Sequence, residues 1–89
     1  MMNVETLQEL ILLYLHNKSQ HLNNLQIVKY NDGLLFKYTS IHFYYCGHEI
    51  EIRIYNSNFI KIKIDNSPGV VKDNLSGVRT YIDSLNYRY

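Results

Sequence analysis

The sequence predicts an α+β fold: a two-layer sandwich whose four-stranded antiparallel meander carries the N- and C-terminal helices on one face, in the order α-β-β-β-β-α. Two observations predict it. Apolar residues recur with a helical period at both ends of the chain and with a period of 2 between about residues 25 and 65. Short polar stretches divide that middle into four runs, too close together for a crossover helix, so neighbouring strands are joined as antiparallel hairpins. With 89 residues and 46% apolar content, the chain has material for one core and one domain, 1–89.

Asn3 is placed to cap the first helix by accepting a free first-turn amide hydrogen. That helix spans about Val4 to Asn17, with Val4, Leu7, Ile11, Tyr14 and Leu15 on its core stripe. Leu10 and Leu13 widen the stripe and Leu12 falls outside it. The arc is wider than one sheet needs, so Leu10, Leu12 and Leu13 are read as a contact surface, most simply between two copies of the chain. Lys18 to Asn24 is polar and ends the helix.

Leu25 to Tyr30 is the first strand. Asn31-Asp32-Gly33 is a hairpin turn, since Gly takes positive φ without steric cost. Leu34 to Tyr45 is a long second strand. Its apolar positions read Leu34, Phe36, Tyr38 and then Ile41, Phe43, Tyr45. The phase changes near Thr39-Ser40, and one extra residue in a β-bulge there would turn both halves toward the same core. Tyr45-Cys46-Gly47-His48 reads as a four-residue turn. It pairs Phe43 with Ile50, Ile41 with Ile52, Tyr44 with Glu49 and His42 with Glu51.

Glu49 to Tyr55 alternates, with Ile50, Ile52 and Ile54 inward. Asn56-Ser57-Asn58 turns the chain. Phe59 to Asp65 alternates again, with Ile60, Ile62 and Ile64 inward. A three-residue loop sets Ile54 opposite Ile60, Ile52 opposite Ile62 and Glu51 opposite Lys63. Ser67-Pro68 starts the last helix, with Val71, Leu75, Val78, Ile82 and Leu85 as its stripe.

The stretch His42-Phe43-Tyr44-Tyr45-Cys46-Gly47-His48-Glu49 gathers two of the four histidines and the only cysteine. His42 and Cys46 lie about 13 Å apart along one strand, whereas zinc holds its ligands about 2.0–2.3 Å from one point. A Cys–His nucleophile needs an orienting third group and an oxyanion pocket, which a hairpin tip does not offer. The eight acidic residues are scattered or matched with Lys and Arg, so no catalytic pair stands out. The expectation is a protein that is not an enzyme and needs no cofactor or metal.

The formal net charge of +1 lacks the basic excess of a phosphate-binding domain and the acidity of a nucleic-acid mimic. A lone cysteine cannot form an internal disulfide, which points to a reducing, cytoplasmic setting. The longest apolar run, Leu10 to Leu15, is too short to span a membrane. Asn, Lys, Ile, Tyr and Phe make up 38 of the 89 residues, and Ala and Trp are absent. These five residues have AT-rich codons, which suits a low-GC bacterium, its phages or its mobile elements.

Nine tyrosines exceed what so small a core can use. Tyr combines large apolar area with a hydroxyl at low entropy cost, which favours it at interfaces. By strand parity His42, Tyr44, Glu49, Glu51, Arg53, Tyr55, Lys61 and Lys63 share the outward face. Tyrosines there would anchor a partner protein and charges would fix its register. The alternative for the same face is single-stranded or structured nucleic acid, with Tyr44 and Tyr55 stacking on bases and Arg53, Lys61 and Lys63 near phosphates. Glu49 and Glu51 oppose that alternative.

In size, composition and element order the chain resembles the small host-antagonist proteins of phages and mobile elements, the anti-CRISPR proteins among them. The resemblance implies a non-enzymatic inhibitor that binds and blocks a host protein or ribonucleoprotein complex in the host cytoplasm; the leucines of the first helix add a homodimer contact, and the short apolar run leaves no membrane partner. The element order also resembles that of the double-stranded RNA-binding domain. That family carries a basic cluster at the start of its last helix, where this chain has Ser67-Pro68-Gly69-Val70-Val71-Lys72-Asp73.

Overall fold

The computed structural model describes residues 4–32, 36–55, 60–65, 67–72 and 75–85. Helix α1 spans Val4–His16 and a 3-10 turn spans Ser19–His21. Strands β1 (Leu22–Asp32), β2 (Phe36–Tyr45), β3 (His48–Tyr55), β4 (Ile60–Ile64) and β5 (Val70–Lys72) follow, and helix α2 spans Leu75–Asp83. The strands form one antiparallel sheet in sequential order. The α-β-β-β-β-α arrangement is therefore present, with a short fifth strand added before α2. Among the described residues, no helix is long and apolar enough to cross a membrane.

The core lies between the helices and one sheet face. Ile50, Ile52 and Ile54 of β3 and Ile60, Ile62 and Ile64 of β4 form its floor, with Ile41 and Phe43 of β2 beside them. Ile11 and Leu15 of α1 and Val78 and Ile82 of α2 close it from above. Each such side chain contributes about 1.5–3 kcal/mol by leaving water. An exposed ion pair contributes about 0–1 kcal/mol. Burial therefore decides the fold, and the polar network on the opposite face decides which groups that face presents.

The two central hairpins have the register that residue pairing dictates. Tyr45 lies opposite His48, Tyr44 opposite Glu49, Phe43 opposite Ile50, His42 opposite Glu51 and Ile41 opposite Ile52. In the next pair, Glu51 lies opposite Lys63, Ile52 opposite Ile62 and Ile54 opposite Ile60. The turn between β2 and β3 has positive φ at both central residues, 53° at Cys46 and 82° at Gly47. That is the type I′ geometry, whose twist matches its flanking strands. The Cys46 amide donates to the His21 carbonyl at 3.1 Å, tying the hairpin tip to the 3-10 turn.

Three expectations are corrected. First, there is no bulge at Thr39-Ser40: β2 pairs without interruption from Tyr38 to Tyr45 with β3 and from Phe36 to His42 with β1. Thr39, not Tyr38, is the buried inward residue, and Tyr38 belongs to the outer face. A half-buried aromatic row on that face accommodates Tyr38 as well as a core would. Second, the bulge is in β1, where Asn23 pairs with Tyr44 but Gln26 pairs with His42. Three steps on β1 match two on β2, and Asn24 takes the extra residue's strain at φ 56°. The bulge keeps Leu22 before it and Leu25 and Ile27 after it on the helix-covered side.

Third, the last helix begins at Leu75 and not at Ser67-Pro68. Ser67 closes a turn instead: its amide donates to the Ile64 carbonyl at 3.1 Å, and its hydroxyl accepts from the Ile64 amide at 3.2 Å. Gly69, at φ 93°, then turns Val70–Lys72 back along the open edge of β4. A Cβ on Gly69 would displace the end of the Lys61 side chain, 2.6 Å away at Cε, and the φ of 93° is strained for any residue with a Cβ. Leu75, Val78, Ile82 and Leu85 form the α2 stripe, while Val71 belongs to β5.

The first strand extends beyond Leu25–Tyr30 at both ends. Asn31 and Asp32 still pair with Lys37 and Phe36, so the first hairpin connection falls at 33–35. That connection, the Asn3 cap and the Asn56-Ser57-Asn58 turn lie outside the described residues.

Candidate functional site

The outer face, opposite the helices, is built by alternation. Every residue beside an inward isoleucine must face away from the core. This places His42, Tyr44, Glu49, Glu51, Arg53, Tyr55, Lys61 and Lys63 together on one surface. Gln26, Val28, Tyr30, Tyr38, Ser40 and Asp65 complete it.

The face has an aromatic end and a polar end. At the aromatic end Tyr30, Tyr38 and Tyr55 cross three adjacent strands in a row. The Tyr30 and Tyr38 rings stack with centroids 4.9 Å apart, and those of Tyr38 and Tyr55 lie 5.1 Å apart. The Arg53 guanidinium sits 5.0 Å from the Tyr38 ring centre, a cation–π contact. Burial pushes the Tyr38 hydroxyl above the usual phenol range, with the Arg53 charge opposing it.

The polar end is a closed set of hydrogen bonds. Glu51 accepts from the Ser40 hydroxyl at 2.7 Å and from Arg53 Nε at 2.8 Å. Glu49 accepts from the Tyr44 hydroxyl at 3.0 Å, and His42 Nε2 lies 3.2 Å from the same oxygen. Asp65 accepts from the Glu49 amide at 3.2 Å and bonds His48 Nδ1 at 3.0 Å. The hydrogen bond to Glu49 pushes the Tyr44 hydroxyl up, keeping it a neutral donor. His42, Glu49, Glu51, Lys63 and Asp65 surround a shallow hollow of ≈ 230 Å³. Glu51 faces Lys63 in register, yet its oxygens go to Ser40 and Arg53. Among the described residues neither Lys61 nor Lys63 has an ion pair, so their charges remain available to a partner.

Cys46 is buried in the core beneath the hairpin tip. Among the described residues no three His, Cys, Asp or Glu side chains are placed to hold a metal. The His21 ring packs edge-on against Tyr45 with centroids 6.4 Å apart.

Leu10, Leu12 and Leu13 do not form one patch. Leu12 and Leu10 are half-buried, Leu12 packing against the core, whereas Leu13 is 61% exposed. Sequence reasoning missed Tyr30 and Tyr38 on the outer face. The missing signal was unbroken alternation read backward from Tyr44 through His42 and Ser40, which reaches Tyr38 and its partner Tyr30. Comparison with known protein families, curated proteins and solved structures finds no match for this chain.

Proposed function

We propose that this chain is a non-enzymatic protein-binding module that docks its outer sheet face on a host protein complex, in the manner of a phage or mobile-element inhibitor. The observation that carries the proposal is the row Tyr30–Tyr38–Tyr55 with Arg53 packed on it. Tyr and Arg are the residues that most often carry binding energy at protein interfaces. These are already held by one another, so docking would cost little side-chain entropy. The polar end would set register, because Glu49 and Glu51 are oriented by the donors already bonded to them.

The test uses a partner captured from lysate of the presumed host and then purified. Tyr44→Ala/Tyr55→Ala and Tyr38→Ala variants should each weaken its binding at least tenfold while keeping the native circular dichroism spectrum. Unchanged affinity in all of them would overturn the outer-face assignment.

The nucleic-acid alternative draws on Lys61 and Lys63, which have no ion pair among the described residues, beside Arg53 and the tyrosines. It predicts a salt-dependent gel shift with single-stranded oligonucleotides, whereas the protein-binding proposal predicts none. A dimer contact through α1 would be centred on Leu13, its most exposed leucine.

A further inference from the structure

The two edges of the sheet are unlike. The β5 edge is three residues long, and short edge strands are a common protection against unwanted pairing. The β1 edge is eleven residues long, and all eight residues from Asn23 to Tyr30 are exposed. Leu25 (43%) and Ile27 (41%) are bare on the helix side, and Val28 (43%) and Tyr30 (43%) on the outer side. Lys29 is the only charged residue from Leu22 to Asn31. Beneath the edge, Leu12, Leu15, His16, Leu22, Leu25 and Ile27 line an open apolar cleft of ≈ 340 Å³ between α1 and β1. The helices cover β2 to β4 and stop short of it.

Among the described residues the outer row of β1 amides and carbonyls has no partner strand, and such a row calls for another strand. We propose that the partner strand is β1 of a second copy, antiparallel about a two-fold axis close to Ile27, giving one continuous ten-stranded sheet. Side-chain phase supports a self-pairing. An axis at Ile27 sets Ile27 opposite itself, Leu25 opposite Lys29 and Gln26 opposite Val28, each pair on one face. No like charges meet. The Ile27 side chains of the two copies then meet on the axis, where the ends of the two apolar clefts adjoin.

The area bounds the strength of such a dimer. Eight strand residues run about 26 Å, and a contact band about 20 Å wide around the edge covers on the order of 500 Å² per copy. A stable interface needs about 800 Å² per partner, so this edge predicts a dimer that dissociates on dilution. The axis runs through the sheet edge and leaves Tyr38, Tyr44 and Tyr55 uncovered, so self-pairing and docking by the outer face share only the β1 residues of that face, Tyr30 among them.

The experiment is sedimentation velocity on the whole chain across a hundredfold concentration range. A monomer–dimer equilibrium is expected. Ile27→Lys and Ile27→Glu should each be monomeric, because like charges then meet on the axis. Mixing the two should restore a heterodimer. Ile27 is exposed, so both variants should keep the native circular dichroism spectrum. Leu13→Lys should leave the dimer intact, and amide exchange at residues 25–30 should slow as concentration rises. A monomer at every concentration would overturn the proposal. A dimer lost in Leu13→Lys and kept in Ile27→Lys would also overturn it, moving the contact to α1.

Discussion

Asp83 shows how one exposed carboxylate can join the two helices. It accepts from the Tyr14 hydroxyl and pairs with Lys18 Nζ at 2.9 Å, and Lys18 and Arg79 each sit 5.7 Å from the centre of the Tyr14 ring. The Tyr14 hydrogen bond, with Lys18 behind it, holds the Asp83 carboxyl below its ordinary range. Burial and the Asp83 bond push the Tyr14 phenol above its own. The signs follow from the two directions. A carboxyl lowered in the folded state adds stability above its unfolded pKa, about 3.9, and that stability is lost as pH falls through the folded value. A phenol raised in the folded state adds stability below about pH 10 that is lost as pH rises beyond it. Asp83→Asn should therefore lose stability at pH 7 and show a shallower decline between pH 5 and 2 than the wild type. Urea unfolding at each pH measures both. Parallel wild-type and mutant curves would show that Asp83 does not link α1 to α2.

At the scale of elements, the β1 bulge determines which face each β1 residue joins. Asn24 at φ 56° is a residue type that tolerates the left-handed region. Asn24→Gly should stay within a few tenths of a kcal/mol of wild type, and Asn24→Val should cost about 1–2 kcal/mol, measured as a shift in urea midpoint at constant slope. Equal effects of the two would mean that β1 pairs without the bulge. The bulge also explains what the sequence could reveal. The registers of β2 with β3 and β3 with β4 were legible because isoleucine pairs and opposite charges agree on a single alignment. The bulge was assigned to the wrong strand because Tyr38 is apolar enough to be counted as core, while the polar run before Leu25 hid the extra residue at Asn24. The fifth strand was hidden by Ser67-Pro68, which reads as a helix start and serves as a turn. The outward eight residues were legible from parity alone. Tyr30 and Tyr38 were lost with the misplaced bulge.

At the scale of the whole molecule, the two faces of the sheet differ in burial and chemistry. The chain measures 41 × 25 × 20 Å, with the helices over the β2–β4 side and β1 outside their cover. Stability rests on the inward isoleucines, and the proposed docking surface is made of the outward polar and aromatic residues, so substitutions should separate cleanly. Ile52 is fully buried at the middle of the sheet, paired with Ile41 and Ile62. Ile52→Ala should cost about 2–5 kcal/mol and Ile52→Val about 0.5–1.5 kcal/mol. A small domain holds only about 5–15 kcal/mol in total, so the alanine variant approaches the folding threshold. Its loss should appear in a partner-binding titration as fewer active molecules with an unchanged dissociation constant. Tyr38→Ala should behave in the opposite way, keeping its active fraction and weakening the constant, because its ring lies on the outer face away from the isoleucine core and its loss also frees Tyr30, Tyr55 and Arg53. The two observables come from the same titration and are set against urea midpoints for each variant. If Ile52→Ala weakened the constant of its folded fraction as much as Tyr38→Ala does, the sheet would be transmitting core strain to its outer face, and the division between a holding face and a recognising face would not stand.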